Sequence, residues 1–399
     1  MILAVDTVAL STRFKHSGTS VYLSHLLSEW LKPDGTDKAK VEFHGFMAPD
    51  DNWAKNGFVS PLLKVHETGL MARRRLWFLG GMALNVARLR PNLVFLPTAM
   101  GSAPYPFVPM VCTILDGMPE RLPPTLVNLG AEGRYVARMN AKLARKIITI
   151  SEWSKKDLIE IYRLSPEKVQ VTYLGYDRKL YNSEPPEAEA SAELLARWGI
   201  RKPFILHHGM VQLRKNVQRL IQACDRVHSL SKEFDAQLVL AGPMGLGHEE
   251  ILRTRETSPR RDQVIVTGPL CDADLGMLIK NASLCVIPSL YEGFCLPMVE
   301  AMACGVPTVA SNSSCLPEVS GGILEYFDPL SVEDMAEVIR RALEDSELRH
   351  RLREKGLARA AQFSWERCAQ QTLHVLAETH MEHSPVKKVR AKSRRRAAV

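Results

Sequence analysis

Short apolar runs alternate with helical patterns along most of the chain. The runs predict strands at Ile2–Asp6, Leu93–Leu96, Val111–Leu115, Ile147–Ile150, Phe204–His208, Gln237–Ala241, Val264–Thr267, Leu284–Pro288 and Thr308–Ala310. Between the first two of these, Leu23, Leu26, Leu27, Trp30 and Leu31 recur at the spacing of one helical face. A later helix is expected after Asn216, a good N-cap, with Val217, Leu220, Ile221 and Cys224 on its apolar side. Another begins at Ser331 and carries Met335, Val338, Ile339, Ala342 and Leu343. Strands that are apolar throughout, separated by helices, predict an α/β fold with parallel sheets covered on both faces.

The alternation breaks once, at YNSEPPEAEASAELLARWGIRKP (181–203), where two prolines and acidic, small residues precede a helical pattern. This is the linker expected between two doubly wound domains, 1–183 and 184–363, followed by a helix at 364–383 and a tail at 384–399. With 399 residues, the chain exceeds one ordinary domain. No internal repeat is visible.

The stretch YEGFCLPMVEAMACGVPTVAS, Tyr291 to Ser311, sets Glu292 and Glu300 in an otherwise apolar run. One continuous helix is excluded by Pro297, which lacks an N–H and would clash with the preceding turn. The pattern reads instead as strand, loop, short helix and strand. Pro297 fits a first helical turn, Gly305 a position just past the helix end, and Pro307 blocks continuation. Glu292 then follows the carboxyl end of a strand, where open α/β sheets bind ligands. The N–H groups of Cys295 and Leu296 would stand at a helix start, a natural phosphate site. Two carboxylates beside it could accept hydrogen bonds from sugar hydroxyls. Taken alone, both glutamates could equally be solvated surface charges.

The whole stretch resembles the E-x7-E signature of the retaining nucleotide-sugar glycosyltransferases of family 4, which have the GT-B fold. FILHHGMVQLRKNVQRLIQAC, VTYLGYD, LVLAGP, LPEVSGG and FSWERCAQQTL extend the likeness over nearly the whole chain. The resemblance implies two Rossmann-like domains facing across a cleft, an acceptor side at 1–183 and a nucleotide-sugar side at 184–363, with helix 364–383 returning to the first. It implies that Glu292 contacts the donor sugar and Glu300 the ribose. Arg214 and Lys215 would neutralise the diphosphate, with Gly209, Gly293, Phe294, Cys295 and Leu296 closing on the donor. Gly18, in KHSGTSVYL, would approach the donor phosphate from the first domain. Fixed cations at the leaving diphosphate make chemical sense in any fold, because breaking a glycosyl–phosphate bond puts charge there. Retention in such enzymes is attributed to same-face attack, the leaving phosphate taking the acceptor's proton. No metal or other cofactor is expected; the nucleotide sugar is a substrate. The RKN and EGF-LP-E elements resemble mannosyltransferases, implying GDP-mannose as donor and surface-polysaccharide assembly. A UDP-hexose donor, an epimerase on the same fold and a catalytically silent binding protein are the alternatives.

Two departures stand out. Cys295 occupies a position that is often glycine, so the loop is expected to manage without a positive φ there. TILDGMP places Leu115 before Asp116 where a histidine is common; Asp116 could line the acceptor side or be a plain turn residue. Asp272 and Asp274, in CDADL, match a metal-holding pattern of the other large glycosyltransferase fold, but helical spacing after them favours an N-cap at Asp272.

The net charge of +8 is concentrated in SPVKKVRAKSRRRAAV (384–399), whose seven basic residues face no acidic one. That tail, with Arg73–Phe78 in ARRRLWF, is a candidate for peripheral contact with an anionic membrane beside a glycan or lipid-linked acceptor. It lacks the interleaved aromatics of a nucleic-acid binder. No apolar run is long enough to span a bilayer and the N-terminus has no leader pattern, so a cytoplasmic protein is expected, peripheral at the inner membrane face. The eight cysteines form no C-x-x-C pair and read as scattered buried thiols.

Overall fold

The computed structural model describes residues 1–10, 17–32, 41–47, 60, 62–67, 82–99, 108–127, 129–230 and 235–383. Segments 73–78 and 384–399 lie outside them. Two compact units emerge. The first takes Met1–Gly117, Leu129–Leu174 and the C-terminal helix from Trp365; the second takes Met118–Asn128 and Gly175–Ser364.

In the first unit β1 (Ile2–Asp6), β2 (Glu42–Met47), β3 (Leu63–Glu67), β4 (Leu93–Leu96), β5 (Met110–Thr113), β6 (Lys146–Thr149) and β7 (Val169–Val171) form one parallel sheet, in the order β3-β2-β1-β4-β5-β6-β7. Helices α1 (Gly18–Trp30), α2 (Met82–Leu89), α3 (Met118–Arg121), α4 (Ala131–Leu143) and α5 (Glu152–Tyr162) fill connections, α3 being counted with the second unit. The apolar face expected on α1 is buried, from Tyr22 to Trp30. Ser17 caps the helix, its Oγ accepting from the Ser20 N–H at 3.2 Å.

The second unit repeats this topology. Its strands are β8 (Phe204–His208), β9 (Gln237–Ala241), β10 (Val264–Gly268), β11 (Leu284–Ile287), β12 (Thr308–Ser311) and β13 (Glu325–Phe327). All are parallel, in the order β10-β9-β8-β11-β12-β13. Its helices are α6 (Ala188–Arg197), α7 (Val217–Leu230), α8 (His248–Thr257), α9 (Asp272–Asn281), α10 (Leu296–Ala303), α11 (Leu316–Ser320), α12 (Val332–Glu344) and α13 (Ser346–Ala360). Strands β8, β9, β11 and β12 are buried at every position, which is why their sequences are mainly apolar, with buried polar residues such as His207, His208 and Gln237 near their ends. The strand order reverses between β8 and β11.

The last helix, α14 (Trp365–His383), packs on α1. The Trp365 ring stacks on His25 with centroids 4.3 Å apart. The Trp30 indole N–H donates to the Ala369 carbonyl at 2.9 Å.

Several local expectations need correction. Strands β2, β3, β7 and β13 escape the apolar-run criterion because three of them are sheet edges carrying polar residues and β2 contains His44 and Gly45. The division falls at Leu174/Gly175 rather than 183/184. Arg178 already donates to the Ala361 and Phe363 carbonyls, and Lys280 donates to Asn182. Asn216 does not cap α7 through its side chain. It adopts a left-handed backbone (φ 59°) and donates instead to the Pro288 and Pro329 carbonyls. The N-cap of α9 is Cys271, whose Sγ accepts from the Asp274 N–H, so Asp272 is the first helical residue.

Gly242 marks the tightest backbone approach in the second unit. Its φ is 144°, and a Cβ there would lie 2.0 Å from the Gly209 carbonyl oxygen. Gly242→Ala should therefore destabilise this unit by about 3 kcal/mol or more. Urea unfolding followed through exchange of the β8 and β9 amides tests this; an unchanged midpoint would mean the strand ends can separate freely.

Candidate active site

Every second-unit residue assigned to the donor site in the sequence lies at the carboxyl ends of β8 and β11 or on the helix that follows β11. This is the point of strand reversal, where α/β sheets leave a crevice. Two loops build it. After β8 the chain turns at Gly209 (φ 105°) and forms a short 3-10 turn at Leu213–Lys215. After β11 it runs through Ser289–Phe294 into α10. The loops are stitched together. The Leu290 N–H donates to the Arg214 carbonyl at 3.0 Å, and Arg214 Nη1 donates to the Tyr291 carbonyl at 2.7 Å.

Between these loops sits Glu292, only 7% exposed. Lys215 Nζ is 2.5 Å from its Oε1 and Arg214 Nη1 is 3.1 Å from its Oε2. Ser289 Oγ donates to Oε1 at 2.8 Å, and the Glu292 N–H donates to Ser314 Oγ at 2.9 Å. Burial alone would push this carboxyl up. The Arg214 and Lys215 charges, with hydrogen bonds from Lys215 and Ser289, outweigh burial and hold it at about 2. Among the described residues, Oε1 is paired with Lys215 and Ser289 and Oε2 with Arg214. The three side chains leave one net positive charge in a buried setting.

Glu300 lies on α10 with its side chain 16% exposed. Its Oε2 is 3.3 Å from Nε2 of His208, the last residue of β8. The preceding His207 is buried, donates Nδ1–H to the Val286 carbonyl at 3.1 Å, and is pushed down to about 3 by burial and by Lys215. It is therefore neutral beside the cations.

Cys295 contradicts the expectation of a loop without positive φ. It has φ 72° and ψ 71°, directly before α10, and its carbonyl accepts from the Met298 N–H at 3.1 Å. The chain keeps the left-handed geometry and accepts a Cβ there, burying the thiol at 5% exposure. Gly293, Phe294 and Leu296 lie in the same loop and helix start, and Pro297 falls in the first helical turn. A Cβ on Gly209 would lie 3.4 Å from Pro297 Cγ, so the two loops meet there.

Gly18 and Asp116 belong to the first unit. Gly18 opens α1 beside Leu115, the neighbour of Asp116, with a Cβ at Gly18 falling 3.9 Å from Leu115 Cδ1. Asp274 pairs with Arg197 at 3.2 Å. Among the described residues no group of three potential ligands is placed to hold a metal ion, and no helix is long and apolar enough to cross a membrane. Sequence reasoning missed His208, Ser289, Ser314 and Gly242. Only the paired histidines of FILHHG, polar at the end of a buried strand, carried a readable signal.

The family model that matches this chain is described as glycosyl transferases group 1. The match runs over residues 192–359, which include both loops, Glu292 and Glu300. The chain is 32% identical over 232 residues to O-antigen chain mannosyltransferase B of Escherichia coli, covering 58% of this chain and 60% of the relative. It is 33% identical over 244 residues to the MMP alpha-(1->4)-mannosyltransferase of Mycolicibacterium hassiacum, covering 59% and 56%. Against the serotype-specific mannosyltransferase WbdA of Escherichia coli it is 39% identical over 236 residues, 57% of this chain and 28% of that one. The alignments thus span no more than about three-fifths of these relatives. Among solved structures, Anabaena Alr3699/HepE in complex with UDP and glucose superposes with a TM-score of 0.72 at 19% identity, over 94% of this chain and 99% of that one. WaaG, a glycosyltransferase involved in lipopolysaccharide biosynthesis, gives 0.69 at 16% over the same shares. The fold is GT-B, with two parallel-sheet Rossmann-like units.

Because the Glu292 carboxyl is held below its ordinary value of 4.5, its ion pairs stabilise the protein fully above that pH. The contribution falls away between about pH 4.5 and pH 2. Glu292→Gln should cost about 3 kcal/mol near neutrality by stranding two buried cations. The gap between wild type and variant should close as pH falls through that window. Paired urea titrations from pH 7 to pH 2.5 test this, and a pH-independent gap would remove the carboxylate from the account.

Proposed function

We propose that this chain is a retaining hexosyltransferase that moves mannose from GDP-mannose to a glycan or lipid-linked acceptor, without a metal. The observation that carries the reading is the buried Glu292–Arg214–Lys215 cluster at the switch point of a group 1 domain, with Glu300 on the adjoining helix. The mannosyltransferase relatives support mannose as the sugar. Surface-polysaccharide assembly by a cytoplasmic enzyme at the inner membrane face is the setting that fits such a donor and acceptor.

The chemistry follows from the charges. Cleaving the glycosyl–phosphate bond develops negative charge on the diphosphate, and Arg214 and Lys215 supply cations already fixed in a water-poor site. Glu292 holds those cations in place and would accept from a hydroxyl of the donor sugar. Glu300 receives the ribose. The acceptor's proton goes to the departing phosphate on the same face, so no enzymatic nucleophile is required. Gly18 would close on the donor phosphate, and Asp116 would line the acceptor side. The tail 384–399 and Arg73–Phe78 would bring the enzyme to an anionic bilayer.

The test is a panel of nucleotide sugars incubated with a lipid-linked or oligosaccharide acceptor, with and without chelator, the product's anomeric configuration being read by NMR. The expected result is mannosyl transfer from GDP-mannose, with the donor's configuration kept and the rate unaffected by chelator. Transfer only from a UDP-hexose would replace the donor, and inversion would overturn the mechanism. Conversion of the free donor to its epimer, or binding without turnover, would overturn the transferase reading. Loss of activity in chelator, restored by manganese, would return the diphosphate to a metal.

A further inference from the structure

A carboxylate that must grip one face of a ribose cannot be left to rotate. Glu300 stands 16% exposed in the middle of the α10 helix, so its rotamer is not set by packing alone. The residue facing it is buried. His208, 1% exposed, has Nε2 at 3.3 Å from Glu300 Oε2 and Nδ1 at 3.8 Å from Cys285 Sγ. The chemistry of the partners settles the tautomer. An ionised carboxylate only accepts, so Nε2 carries the proton. Nδ1 is then the acceptor, and the Cys285 thiol, whose ionisation burial strongly opposes, supplies an S–H. Cys285 on β11, His208 on β8 and Glu300 on α10 thus form a directional chain from the sheet into the crevice.

We infer that His208 is a positioning residue for the nucleotide: it occupies Glu300 Oε2 and thereby aims Oε1 at the ribose hydroxyls, making the site selective for a ribonucleotide over its deoxy counterpart. The inference rests on the reading that Glu300 receives the ribose. Because His208 touches Glu300 and not the reacting atoms, its loss raises the donor KM more than it lowers kcat.

The experiment titrates GDP, UDP and their 2′-deoxy counterparts into wild type, His208→Ala, His208→Gln, Glu300→Gln and the His208→Ala/Glu300→Gln pair. Wild type should prefer the ribonucleotide by about tenfold or more, the range of one hydrogen bond to a charged group. His208→Ala should reduce that preference to about twofold, with His208→Gln, which keeps an N–H donor, recovering part of it. In Glu300→Gln the second substitution should have almost no further effect on the preference, since the histidine acts through the carboxylate. Preserved ribose selectivity in His208→Ala, alongside its collapse in Glu300→Gln, would overturn the positioning role and leave the ribose contact standing. Preserved selectivity in Glu300→Gln would overturn the ribose contact itself. Equal weakening of ribo- and deoxynucleotides in His208→Ala would assign the histidine to packing.

Discussion

A carboxylate withdrawn from water is tolerated only when the charge it loses to solvation is returned by partners at contact distance. Glu292 meets that condition with two cations and a serine hydroxyl, and the surrounding loops exist in the form that condition requires. Arg214 and Lys215 cannot reach it unless the β8 loop is drawn toward β11. The Leu290–Arg214 backbone hydrogen bond, the Arg214 guanidinium bond to the Tyr291 carbonyl and the Asn216 amide bonds draw it there. The end of the neighbouring strand β9 comes close to the start of this loop through Gly242, where a Cβ would lie 2.0 Å from the Gly209 carbonyl oxygen. Electrostatics at the centre and backbone sterics at the edge are therefore one design. The buried pair is weak as a source of stability against an apolar replacement, yet it fixes two positive charges in advance, and that is what a reaction releasing a diphosphate can use.

Much of this was legible beforehand because it is written in patterns that strand and helix geometry enforce. Ile2–Asp6, Leu93–Leu96, Phe204–His208 and Gln237–Ala241 appear in the structure with the bounds their apolar runs predict, since strands buried on both faces are mainly apolar and admit polar residues such as Asp6, His208 and Gln237 chiefly at their ends. Pro297, Gly305 and Pro307 bracket a short helix for reasons of backbone chemistry alone, and the helix is there. Legibility ended where tertiary context decides. The edge strands β3, β7 and β13 have mixed residues because half of each faces outward. Asn216 has the composition of a cap but spends its amide on two carbonyls far away in sequence. Cys295 holds a positive φ that composition argued against, because the turn into α10 is fixed by both loops rather than by its own preference. His208 was invisible as a partner of Glu300, since nothing local links positions on β8 and α10. Two doubly wound domains were expected from the alternation of strands and helices, but no sequence repeat marks the strand order that their sheets share.

Under the proposed function, Glu292 serves turnover by holding Arg214 and Lys215 in place, not by adding to nucleotide affinity. The most direct measurement compares Glu292→Gln with wild type in two quantities on folded protein: the single-turnover rate of glycosyl transfer and the dissociation constant of GDP. Neutralising the carboxylate frees two cations toward a bound diphosphate, so GDP affinity should be kept or tightened. The transfer rate should fall by about a hundredfold or more as the sugar contact and the fixed geometry are lost together. A small, parallel loss in both quantities would contradict the account and leave Glu292 as one of many structural ion pairs.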